Sequence, residues 1–211
     1  MRDEQPTRPT GRYGLVVLVT GHLVDLPDRP VPRFPASSEP AVTEAVAATL
    51  RQWAAGPGTL VVCGGARGAD LIAAEQAQAL GCDVWLLVAL PEDEFVAGSV
   101  AIPGTRWERR YRRLRSRCPT WFQADALGPA GPADNVFERN NDWCLAAACA
   151  QARPAVPRVL AVWDGRAGDG PGGTAHLVER ARSLGATVEV VDPADGRRGT
   201  VGAPAPPGHD G

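Results

Sequence analysis

Short apolar runs alternate with longer amphipathic stretches along this chain, and that alternation predicts the architecture. Leu15-Val16-Val17-Leu18-Val19, Leu60-Val61-Val62-Cys63, the run from Val84 to Leu90 and the run from Val159 to Trp163 each have the length of a buried strand. Trp121-Phe122-Gln123 and Thr187 to Val191 are shorter candidates. Between them the period changes to that of a helix. Val42, Val46, Leu50 and Trp53 form one stripe behind a start at Ser38 or Glu39. An Ala/Leu/Gln/Glu run ends at Gly81, and Trp107, Tyr111, Leu114 and Cys118 mark the apolar side of a third helix. Asp134 or Asn135 opens a fourth through about Gln151, with Glu138 set for a capping-box contact. A fifth carries Leu177, Ala181 and Leu184 inward and stops at Gly185. Strands alternating with helices predict an α/β, Rossmann-like, doubly wound and mainly parallel sheet with helices on both faces.

Unpatterned segments divide the chain. Residues 1–12 read as a flexible tail, 13–193 as a single domain, and 194–211 as a disordered Gly/Pro-rich tail. Five prolines between residues 25 and 40 make that connection extended and irregular. Pro91 to Phe95 is acidic and turn-like, and the loop from Ser99 to Gly104 is placed to lie over the strand ends.

Composition narrows the chemistry. The net charge is −2, so no global field draws nucleic acid or acidic lipid. Every basic side chain counted under Lys+Arg is arginine, which excludes Schiff-base and Walker lysines. Five cysteines without C-x-x-C spacing and three histidines argue against a structural metal site, and neither metal nor cofactor is expected. No signal-peptide pattern or membrane-length apolar run is present, so the expected compartment is the cytoplasm.

Candidate chemistry gathers where strands end on glycine. Thr20-Gly21-His22 follows the first strand; His22 is either a polar loop residue or a ligand contact. Gly64-Gly65-Ala66-Arg67-Gly68-Ala69-Asp70 follows the second and leads into a helix. Backbone N–H groups and the helix dipole at such a turn favour an anion, and Arg67 adds a planar donor fork. Asp70 repels phosphate and is expected to cap or orient the loop. A second glycine stretch, Gly168 to Glu179, repeats the arrangement after Asp164-Gly165, with Gly172-Gly173-Thr174 at the helix start. Right-handed crossovers put all three turns on one sheet edge, facing one crevice. The spacing is neither G-x-G-x-x-G nor a P-loop. The arginine-rich stretch at 105–117 is read as a solvated or acid-paired face, with ligand or nucleic-acid phosphates as its competing partners.

These motifs, with Arg139-Asn140 and Pro171-Gly172-Gly173-Thr174, resemble the SLOG superfamily in content and order, nearest its YspA-like branch and signalling-associated modules. That resemblance, over residues 13 to 193, implies a domain binding a nucleotide or nucleotide-derived ligand, used as a sensor in signalling or defence. Phosphates would lie on Gly64-Gly65 and Gly172-Gly173, aided by Arg67 and Thr174, with Arg139 and Asn140 closing over base or ribose. An N-glycosidase resembling the LOG enzymes is the alternative. It needs a carboxylate near the anomeric carbon, for which Glu179 leads Asp169 and Glu75. In LOG enzymes the glutamate follows Pro-Gly-Gly-x-Gly-Thr closely, whereas Glu179 lies five residues past Thr174. A DNA-binding role similar to that of DprA ranks third, against the charge balance. The implied partner is a small nucleotide-type molecule, with a homo-oligomer allowed.

Overall fold

A computed structural model describes residues 13–167 and 172–201. Seven strands form one sheet in the order β4-β3-β2-β1-β5-β6-β7. They are β1 (Leu15–Gly21), β2 (Thr59–Cys63), β3 (Asp83–Val88), β4 (Thr120–Phe122), β5 (Arg158–Val162), β6 (Val188–Val191) and β7 (Arg198–Val201). All neighbouring pairs are parallel except β6 with β7. The chain is therefore a doubly wound α/β protein with a Rossmann-like sheet.

Strand alternation divides the core in two. Val17 and Val19 of β1 face one layer, with Val61, Leu86 and Val162. Val16 and Leu18 face the other, with Leu60, Val62, Leu87 and Ala161. Helices α1 (Glu39–Gln52), α2 (Ala69–Ala79) and α4 (Trp107–Arg115) cover the first face. The second is covered by α6 (Val136–Ala152) and α7 (Thr174–Ser183). Burial on both sides explains why the central strands are continuous apolar runs rather than alternating ones.

Helix α6 begins as expected at Asn135, whose side chain accepts from the N–H groups of Phe137 and Glu138. Four details depart from the sequence reading. The sheet continues past residue 193, since β7 pairs antiparallel with β6 from Arg198 to Val201. Leu184 is exposed rather than inward, being the residue that ends α7. Gln123 opens a short helix, α5 (Gln123–Leu127), instead of extending β4. Pro91 precedes one helical turn, α3 (Glu92–Phe95), continued by a π-turn over Val96–Val100.

Candidate functional site

The strand order reverses between β1 and β5, and a cavity of about 390 Å³ opens there at the carboxyl edge of the sheet. Crossovers leave β1 toward opposite faces on its two sides, so the flanking loops separate and leave a crevice. Thr20, Gly21, Gly64, Gly172 and Thr174 all line it, so the three glycine turns do meet.

At the end of β1 the backbone is crowded. A Cβ on Gly21 would lie 2.6 Å from both the Ala69 Cβ and the Val162 carbonyl oxygen. Only glycine lets β1, α2 and β5 approach so closely. His22 follows, buried, with its Nε2 3.1 Å from Oδ1 of Asp164. Arg33 donates to both oxygens of the same carboxylate, from Nε at 3.0 Å and from Nη2 at 2.8 Å. The Arg166 N–H adds a further bond. Burial works against the Asp164 charge, but Arg33, the Arg166 N–H and His22 outweigh it and hold the carboxyl well below its ordinary range. His22 reaches the cavity, whereas Asp164 stands behind it as its anchor.

The turn after β2 differs most from expectation. Arg67 is 5% exposed and points away from the cavity. Its guanidinium donates to the carbonyls of Val24 at 3.0 Å and Gly98 at 3.1 Å, bracing two loops against each other. It is no phosphate fork, because both contacts are spent on backbone oxygens the turn must satisfy. Gly65 likewise faces inward, toward Leu86 and Tyr111. Gly68, at φ +95°, gives the β1 loop room: a Cβ there would meet the His22 carbonyl oxygen at 2.6 Å. Toward the cavity the turn is met by Asp70. Its Oδ2 accepts from the Ala66 N–H at 3.2 Å and lies 3.0 Å from where a Gly64 Cβ would stand. Burial pushes the Asp70 carboxyl up to about 7, while the N–H groups of Ala66, Gly64 and Gly65 draw it back down. Asp70 thus orients the turn rather than capping α2, its carboxyl turning back onto the Ala66 N–H beside Gly64.

The second glycine turn is open. Gly172 adopts φ +91°, and a Cβ there would come within 2.6 Å of the Glu138 nitrogen. Asn141 fixes the turn by donating from Nδ2 to the Gly172 carbonyl at 2.7 Å. Gly173 precedes the ten-residue helix α7 with no side-chain cap among the described residues, and Gly173 and Thr174 line the cavity. Thr174, Thr20 and Ser99 are each only 7% exposed, and all three line the cavity. Among the described residues none of these hydroxyls has a hydrogen-bond partner.

Other expected residues are elsewhere. Arg139 donates to Gln123 and to the carbonyls of Gly128 and Leu127, closing the end of α5. Asn140 borders the cavity, but its amide is engaged by the Leu87 carbonyl and Gln123. Glu179 is exposed on α7 and outside the cavity, so it reaches no ligand there. Asp169 lies outside the described residues. Glu75 pairs with Arg110 and Arg113, and Arg112 pairs with Glu108, which agrees with the acid-paired reading of the arginine-rich helix.

The remaining wall was not foreseen. Arg29 borders the cavity, held by its Nη1 3.4 Å from Asp25. Phe95, Phe137, Ala89 and Leu90 supply apolar surface. Arg29 sits among prolines without periodicity; only the expectation that a loop lies over the strand ends pointed toward Ser99. Among the described residues no three His, Cys, Asp or Glu side chains gather as metal ligands. None of the described helices is long and apolar enough to cross a membrane.

Fold and site together define a doubly wound α/β protein with a cavity at its topological switch point. No protein-family model and no curated protein sequence matches the chain. Among solved structures the chain is similar to the X-ray structure of TM1055, a Northeast Structural Genomics Consortium target, at 19% identity and a TM-score of 0.41. The match covers 82% of this chain and 72% of that one.

Proposed function

We propose that this chain binds a small phosphorylated ligand of nucleotide type in the switch-point cavity and acts as a sensor of it. The observation that carries this reading is the start of α7 at Gly173-Thr174, uncapped among the described residues, at the same cavity as three largely buried residues, Thr20, Ser99 and Thr174, whose hydroxyls have no partner among the described residues. Helix N–H groups and dipole suit a phosphate, and the hydroxyls of Thr20, Ser99 and Thr174 suit phosphate or ribose oxygens. Phe95 and Phe137 offer aromatic surface of the kind a nucleobase packs on. Arg29, which borders the cavity while paired with Asp25 and bonded through Nε to the Val31 carbonyl, supplies a cation near the anionic group. The volume falls toward the lower end of the roughly 300–1,000 Å³ typical of small-molecule sites, which suits a mononucleotide better than a dinucleotide. The resemblance to SLOG motifs agrees with this class of ligand.

Binding without turnover is the form of the proposal, because Glu179 stands outside the cavity. Thermal unfolding followed against a panel of nucleosides, nucleotides, cyclic nucleotides and ADP-ribose tests it. Specific binding raises Tm, with a stabilisation that grows as the logarithm of one plus the ligand concentration over Kd. No shift from any panel member at millimolar concentration overturns the reading. Free base released on overnight incubation, detected by chromatography, would replace the sensor by an N-glycosidase.

A further inference from the structure

Helix α4 carries unlike charge on its two flanks. Its buried stripe is Trp107, Tyr111 and Leu114. Helical geometry puts positions 106, 110 and 113 on one side of that stripe and positions 108, 112 and 115 on the other. The first flank walls a groove of about 680 Å³ together with Glu39 of α1 and Glu75 of α2. Arg110, stacked 3.9 Å from the centre of the Trp107 ring, bridges both glutamates, and Glu75 also takes Arg113. Arg106 and Arg109 border the same groove, exposed, and neither guanidinium has a partner among the described residues. Four arginines against two glutamates leave the groove cationic.

The second flank is acidic. Arg115 approaches Glu92 at 3.6 Å, Arg112 is engaged by Glu108, and beside them the turn α3 exposes Asp93 and Glu94. Among the described residues neither of these two carboxylates has a hydrogen bond or an ion pair. Two unpaired guanidiniums on one side of the helix thus match two unpaired carboxylates on the other.

We propose that α4 and its flanks form a self-docking surface, in which the acidic turn of a second copy enters the arginine groove and sets Asp93 and Glu94 against Arg106 and Arg109. A twofold axis along α4 brings each groove against the other copy's turn, so both contacts form together and the assembly closes as a dimer. Glu39 and Glu75 in the groove disfavour a continuous phosphate backbone, whereas two carboxylates at the rim meet only the outer arginines. The docked turn ends in Phe95, which lines the switch-point cavity and packs on Tyr111 of α4, so the interface lies directly behind that cavity wall.

Sedimentation velocity of the full chain at about 50 and about 500 mM NaCl tests the inference, since salt screens exposed charges. The expected result is a monomer–dimer equilibrium with a Kd on the order of 10–100 μM at low salt, weakened about tenfold or more at high salt. Arg106→Glu with Arg109→Glu, and separately Asp93→Arg with Glu94→Arg, should each give a monomer where the wild-type protein is dimeric. All four positions are exposed, and a melting curve of each variant confirms that it is folded. An equimolar mixture of the two variants should recover the dimer, because both contacts of the mixed pair again join opposite charges. A wild-type protein that stays monomeric at about 500 μM in low salt overturns the inference. So does a dimer that survives both sets of substitutions, or a mixture that stays monomeric. Single-stranded DNA that binds a monomeric wild-type protein, and is lost with Arg106→Glu and Arg109→Glu, assigns the groove to nucleic acid and overturns it as well.

Discussion

Nε2 of His22 lies 3.1 Å from Oδ1 of Asp164, joining the ends of β1 and β5 across the point where the strand order reverses. Arg33 grips the same carboxylate with two bonds, so the long proline-rich connection is stapled to β5 through a single side chain. His22 belongs to the cavity wall, and Asp164 and Arg33, outside it, hold His22 there.

Replacing Asp164 by Asn should therefore destabilise the fold by about 2–4 kcal/mol at pH 7, the cost of leaving a largely buried Arg33 guanidinium half-paired. The pH dependence carries a definite sign. Asp164 has a folded-state pKa depressed below the unfolded value of about 3.9. Its contribution is complete above about pH 4 and is lost as pH falls through the folded value. Melting curves from pH 2 to 7 should show an acid limb in the wild-type protein that is shallower in Asp164→Asn. An unchanged limb would mean that the Arg33 contact contributes nothing.

Asp70 titrates in the opposite sense. With the folded carboxyl raised to about 7, the folded state holds its proton after the unfolded state has lost it. Stability is fully present below about pH 4, declines as pH rises toward 7, and is constant above that. Cys63 and Cys144 feel Asp70 electrostatically, but burial holds both thiols well above their ordinary value and neutral throughout this window. Asp70→Asn should consequently gain on the wild-type protein between pH 4 and 7, by up to about 4 kcal/mol. Differential scanning calorimetry at pH 4, 5.5, 7 and 8 measures the gap, and a gap that stays flat with pH contradicts the assignment.

Strands β1, β2 and β5 were legible in the sequence because burial on both faces leaves an unbroken apolar run, and the glycines that end their loops were legible because no other residue fits. The direction of a side chain leaving a turn is not encoded so locally. Arg67 reads as a phosphate fork in sequence, but its target is set by Val24 and Gly98, which tertiary packing alone brings near. Asp70 was recognisable as a residue that caps or orients its loop, yet that its carboxyl turns back to the Ala66 N–H needs the geometry of the turn. Strand β7 gave no signal, because an edge strand reading Arg-Gly-Thr-Val is mostly exposed and is held by backbone pairing to β6. Arg29 reaches the cavity from an aperiodic loop, where no pattern marks it.

The bracing role of Arg67 is separable from a ligand role by one conservative substitution. Arg67→Lys keeps the charge but cannot reach two carbonyls on different loops with a planar fork. Loss of one of these buried bonds should lower stability by about 1–3 kcal/mol. Ligand affinity of the folded protein, measured by titration well below the melting temperature, should change less than threefold, roughly the scatter of mutations remote from a contact. A large affinity loss without a stability loss would return Arg67 to the ligand.

Gly172 is the most sensitive position of the open turn. Its φ of +91° disfavours any L side chain, and a Cβ would press to 2.6 Å from the Glu138 nitrogen at the start of α6. Gly172→Ala must either push the turn away from α6 or flip its backbone. Either movement breaks the bond from Asn141 and shifts the N–H groups of Gly173 and Thr174 out of register with the cavity. Geometry at an anion site tolerates little displacement, so affinity should fall by about tenfold or more, while α7 keeps its packing through Leu177, Val178 and Ala181. Asn141→Ala removes the tether without the clash and should produce a smaller loss in the same direction. Parallel titrations of the two variants, each with its circular dichroism spectrum, therefore rank the effects as Gly172→Ala over Asn141→Ala over wild type; the reverse order would show that the turn is not what holds the phosphate.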